Sequence, residues 1–163
     1  MGMFLNSIMP FEIYKSVASE TYFVDKTELI DELIPAIGKE KRFFCITRPR
    51  RFGKSIMANM VGAFFGNAFD SAEIFNNLKI SKSKQYSEHL NKHNIIYIDF
   101  SEEPENCKSY EAYIMRILNG IKADLAKVYP EIADDLGKPV WDILTDIFQK
   151  TGHTLPRRTK KLI

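Results

Sequence analysis

Cysteine is nearly absent from this chain: its 163 residues include only Cys45 and Cys107. Two cysteines do not make a disulfide framework, and a reducing interior suits them best. Long hydrophobic runs are missing too, since nothing approaches the ~18 uninterrupted apolar residues of a membrane helix. The opening stretch from Met1 to Pro10 has no basic residue ahead of its short apolar run and no small-residue cleavage site. No secretory signal is therefore expected, and the expectation is a cytoplasmic protein without membrane contact. An excess of one charge is also lacking. The net charge of +2 comes from 23 basic and 21 acidic residues. Four of the basic residues, Arg157, Arg158, Lys160 and Lys161, fall in the acid-free stretch 151–163, which leaves 19 against 21 acids in residues 1–150. The body is no polycation, so composition makes no general case for nucleic acid as a partner.

What is present is a chain of ordinary domain size, 45% hydrophobic and 27% charged, long enough to bury a core. Pro10 to Ala18 reads as a short helix. Leu29, Ile30, Leu33 and Ile34 repeat at the helical period and predict a second helix after Thr27. Phe43-Phe-Cys-Ile46 is apolar at every position and predicts a fully buried strand, with Cys45 in the core. Ile95-Ile-Tyr-Ile-Asp-Phe100 predicts another. Between them Ile56, Met57, Met60, Val61, Phe64 and Phe65 are spaced for a buried helix face, stopped by Gly66. Tyr110 to Leu125 predicts a long amphipathic helix ended by Pro130, and Val140 to Phe148 one more. Strands alternating with helices predict an α/β three-layer fold with a short parallel sheet.

The informative segment is Thr47-Arg-Pro-Arg-Arg-Phe-Gly-Lys-Ser55, set between the first expected strand and its helix. Phosphate binding needs backbone N–H groups at a helix start, which have no intrahelical acceptor, together with the positive end of the helix dipole. Gly53 lets the backbone take unusual dihedrals and approach a phosphate closely. Lys54 supplies a flexible point charge to the β- and γ-phosphates, and the Ser55 hydroxyl can ligate Mg²⁺. The sequence departs from G-x-x-x-x-G-K-[ST] at its first position, which holds Arg48, and Pro49 removes one donor N–H. The bland alternative is an ordinary strand-to-helix turn.

On these residues the chain resembles the predicted AAA-ATPase-like family, in which Arg-Pro-Arg-Arg-Phe-Gly-Lys-Ser is the usual Walker A form. Tyr22-Phe-Val-Asp-Lys-Thr27 is similar to that family's Tyr-Val-Asp-Lys-Thr element, and Ile95 to Ser101 to its next strand. The resemblance covers roughly residues 10–152 and implies a P-loop NTPase binding ATP and Mg²⁺, often joined to a restriction-type nuclease-like domain. Carried over by position, Gly53, Lys54 and Ser55 bind phosphates and magnesium, with Arg48, Pro49, Arg50, Arg51 and Phe52 completing the loop. Arg50 and Arg51 can pair with a γ-phosphate or with an acid elsewhere. The stretch from Tyr22 to Lys26, including Phe23 and Asp25, is either a base pocket or a stretch packing Phe23 and Val24 into the core.

Hydrolysis also needs an acid at a strand end. Asp99, closing the run Ile95 to Ile98, is the second candidate metal ligand beside Ser55, but Phe100-Ser-Glu-Glu103 follows instead of an acid pair. The family's acidic strand normally follows the Thr151-Gly152 region, where this sequence has Pro156 and four basic residues. The expectation is a C-terminally incomplete P-loop domain over residues 1–152, a disordered basic tail over 153–163, and doubtful hydrolysis. The alternative is a non-catalytic module that keeps the fold and engages a protein partner, itself or nucleic acid. His89 and His93, four residues apart, lack the glutamate of His-Glu-x-x-His and read as solvated or capping. Cys107 has no histidine at motif spacing, so nucleophilic catalysis finds no support there.

Overall fold

The computed structural model describes residues 2–40, 43–47, 49, 51–100, 107, 109–131 and 137–151. It divides into two compact units, one of Asn6–Tyr97 and one of Gly2–Leu5 with Ile98–Ile163.

In the first unit, α1 (Met9–Ala18) begins with Pro10 in its first turn, where a missing N–H costs nothing. The helix α2 (Glu28–Leu33) passes into a 3₁₀ turn at Ile34–Ala36. The twelve-residue α3 (Lys54–Phe65) runs against α1, and two short helices follow, α4 (Ala72–Phe75) and α5 (Tyr86–His89). A Cβ on Gly62 of α3 would stand 2.8 Å from Pro10 Cβ, so glycine is what permits the close approach of the two helices. The core they enclose is aromatic. Tyr14, Phe64 and Phe75 are at most 1% exposed, with Ile30 and Ile80 filling in around them. Tyr14 stacks on Phe75 at 5.4 Å, and Phe64 meets Phe75 edge-on at 5.2 Å.

In the second unit, α6 (Tyr110–Val128) starts at Ser109, whose hydroxyl accepts from Ala112 N at 3.2 Å. Its inner face is Tyr113, Ile117, Ile121 and Leu125, only part of the face Tyr110, Tyr113, Ile114, Ile117, Leu118, Ile121 and Leu125 expected from the sequence, since Tyr110 is 68% exposed. Asp124, only 3% exposed, accepts from Phe4 N at 2.8 Å and Leu5 N at 3.3 Å, tying the N-terminal residues to α6. The helix α7 (Val140–Thr151) buries Val140, Ile143, Leu144 and Ile147. Among the described residues no helix is long and apolar enough to cross a membrane.

The expected α/β fold with a short parallel sheet does not form. Among the described residues there is no β-strand, only isolated bridge residues, among them a parallel bridge between Gly66 and His93. Residues 43–47 and 97–100 have no regular structure, and Phe43, Phe44, Ile46 and Phe100 are 68, 54, 37 and 58% exposed. Cys45, expected in the core, is exposed as well. The physical reason is that a strand exists only through its neighbours. An all-apolar run needs a ladder partner on each side and a cover on both faces, and a lone pair of strands is marginal in water. At Ile95 the main chain bonds Asn6 instead: Ile95 N donates to Asn6 Oδ1 at 2.9 Å, and Asn6 N to Ile95 O at 2.8 Å.

Candidate functional site

The head of α3 is where the sequence-predicted residues come together. Gly53 is its N-cap, in the left-handed region at φ 78° and ψ 25°, and brings no capping side chain. Arg51, two residues earlier, is also left-handed at φ 67°. That conformation is uncommon for a non-glycine residue and tends to occur where the surroundings impose it. Phe52 N donates to Pro49 O at 3.4 Å, so the chain turns tightly before the helix. Lys54 and Ser55 occupy the exposed first turn. The expected contributions of Arg48 and Arg50 lie outside the described residues, as does the basic stretch 157–161.

Beside Gly53 opens a cavity of about 360 Å³. Arg51, Phe52 and Gly53 form one side, Tyr22, Phe23 and Lys26 another, and Met57, Met60 and Tyr14 its inner wall. Mostly apolar walls with a few polar groups are typical of small-molecule sites. Tyr14 adds an unusual feature. Its ring is 1% exposed, yet its hydroxyl has no hydrogen-bond partner among the described residues. Burial first, and the charge of Asp25 second, push this hydroxyl's pKa well up, so it stays protonated. A buried donor left unpaired costs about 1–3 kcal/mol, which a bound water or another acceptor would recover. Sequence reasoning missed Tyr14, because its helical spacing reads only as a core position.

The 22–27 stretch divides its work. Tyr22 is 93% exposed at the rim and Val24 is 68% exposed, while Phe23 packs against the aromatic core. Asp25 serves as a clamp: its Oδ1 accepts from Thr27 N at 2.9 Å and Thr27 Oγ1 at 2.7 Å, and its Oδ2 from Lys79 N at 2.7 Å. The fully buried Thr27 accepts in turn from Ile80 N at 3.1 Å. Burial alone would raise the Asp25 pKa, but the hydrogen bonds from Thr27 and Lys79 outweigh it and hold the carboxyl below its usual value.

Asp99 belongs to the second unit, where it is exposed and its backbone carbonyl accepts from Tyr113 OH at 3.3 Å. Among the described residues no three His, Cys, Asp or Glu side chains gather as a metal site. One exposed hydroxyl, Ser55, suits a magnesium ion that arrives with phosphate and keeps its waters better than one caged by protein. His89 and His93 are not simply solvated. His89 Nδ1 and His93 Nε2 are 2.9 Å apart, the rings stack at 5.1 Å, and burial followed by the neighbouring His89 lowers the His93 pKa.

A turn with two left-handed residues, an uncapped helix head and a partly apolar cavity have the chemistry that suits a small anion. The family model described as AAA-ATPase_like, Predicted AAA-ATPase, matches residues 8–155, and the chain belongs to that family. No curated protein and no solved structure matches the chain. Membership supports a nucleotide-binding, ATPase-like role at that general level.

Proposed function

We propose that the chain binds Mg-ATP at the head of α3. The observation that carries this reading is the cavity opening directly beside left-handed Gly53 at the start of an uncapped twelve-residue helix. The β- and γ-phosphates lie over Gly53, Lys54 and Ser55, where the helix dipole and the Lys54 ammonium favour negative charge. Pro49, Arg51 and Phe52 form the turn beside them. The base occupies the cavity, with Tyr22 and Phe23 beside it; Asp25 acts through the backbone it clamps. Ser55 is the protein's ligand to magnesium, which supplies charge neutralisation to the phosphates when bound. Asp99 is assigned no step.

Thermal unfolding with and without Mg-ATP, on wild type and Lys54→Ala, tests this reading. At ~100 times its Kd, a ligand adds about 2.7 kcal/mol to stability. The expected result is a rise in Tm of several degrees for wild type and none for Lys54→Ala. No shift for wild type would remove the nucleotide reading.

Exposed Phe43, Phe44 and Ile46 favour a second, compatible role in self-association or in meeting a protein partner. Sedimentation over a hundredfold range of concentration separates the two, since self-association depends on concentration. A monomer throughout would leave only the partner.

A further inference from the structure

Lys26 stands out among the residues around the cavity. Its Nζ is 3.9 Å from where a Cβ on Gly53 would be, the same distance as Ile56 Cδ1. The lysine is exposed and makes no ion pair among the described residues, although Glu20 lines the same cavity. It forms no ion pair with its immediate neighbour Asp25. Both Asp25 oxygens are engaged, one by Thr27 and the other by the backbone N–H of Lys79. That clamp, continued by Thr27 Oγ1 to Ile80 N, fixes the backbone on either side of Lys26. Only the four-carbon stem is left free to move. A cation held at its base and mobile at its tip, next to a glycine that keeps the way open, is placed to meet an anion.

We propose that Lys26 is a second phosphate-binding cation of this site, reaching Gly53 from the α2 side as Lys54 does from α3. This rests on the reading that a nucleotide phosphate sits at the head of α3. A phosphate oxygen bonded to the amides there falls within the reach of the Lys26 ammonium. Tyr14, whose buried hydroxyl has no partner among the described residues, lines the same cavity. Asp25 and Thr27 are then positioning residues, while Lys26 touches the ligand.

Binding of Mg-ATP, followed by calorimetry at low and high salt, tests the proposal on wild type, Lys26→Gln, Lys26→Arg and Lys54→Ala. The expected result is about tenfold weaker binding for Lys26→Gln at low salt, a gap that narrows as salt screens the exposed charge. Lys26→Arg should stay within about twofold of wild type, and the unliganded Tm of Lys26→Gln should be unchanged. Unchanged affinity for Lys26→Gln, or a loss that ignores salt and that arginine does not rescue, would overturn the role of Lys26. A lowered unliganded Tm would overturn it too, by assigning the lysine to the fold. If wild type binds and Lys54→Ala does not, these results bear on Lys26 alone. If wild type fails to bind Mg-ATP, the phosphate site itself falls and this inference with it.

Discussion

Phe64 and Phe75 are fully buried and meet edge-on, whereas Phe43 and Phe44, equally apolar and in the same unit, are 68 and 54% exposed. Side-chain chemistry does not distinguish the pairs. Phe64 sits on the inner side of a helix that α1 already covers, and Phe75 closes that space from the short helix that follows. Phe43 and Phe44 lie in a stretch without regular structure. Apolarity supplies the drive for burial, but a neighbouring element has to supply the place.

Substitutions can press on this contrast from both sides. Phe64→Ala should have the largest effect, costing about 3–5 kcal/mol through lost transfer energy and an aromatic-walled cavity, read as a lower midpoint in urea unfolding. Thr27→Val keeps the shape but leaves Ile80 N without its acceptor and Asp25 without one of its three donors; a loss of roughly 1–3 kcal/mol by the same measurement is expected. A cost near zero would show that water replaces the hydroxyl and that the clamp is not rigid.

Gly53→Ala meets no atom closer than 3.9 Å, so its cost comes from the positive φ alone, about 1–2 kcal/mol, and the Mg-ATP shift should vanish with it. A smaller, pH-dependent effect is expected at His93, whose pKa is lowered chiefly by burial. Its neutral form is the one the fold favours. That contribution is complete above the ordinary histidine value of about 6.5 and is lost as pH falls through the lower folded value. Melting followed from pH 8 to 4.5 should show this decline, and His93→Gln should remove it. Smallest of all, Phe43→Ser combined with Phe44→Ser should change unfolding stability by no more than about 0.5 kcal/mol. A loss of 2 kcal/mol or more would mean that this stretch is packed in solution, and the contrast would dissolve.

The same contrast explains how far the sequence could be read. Helices were legible because their evidence is local: Ile117, Ile121 and Leu125 recur every four residues, and all are buried on α6. So was the head of α3, since Gly53-Lys-Ser announces both a turn and a helix start, and the helix begins at Lys54. The sheet was over-read from Phe43 to Ile46 and Ile95 to Phe100, because a strand's partners lie elsewhere in the chain and an apolar run cannot name them. Tyr14 escaped for the opposite reason. Its helical spacing says core, and only the three-dimensional arrangement reveals both the cavity and the missing hydrogen-bond partner.

The close approach of Pro10 to Gly62 has a mechanical consequence. Pro10 lies where any side chain larger than hydrogen would strike it, so turning α3 about its axis by one residue would drive Val61 or Ala63 into the proline ring. The helix is wedged and cannot roll to follow a ligand.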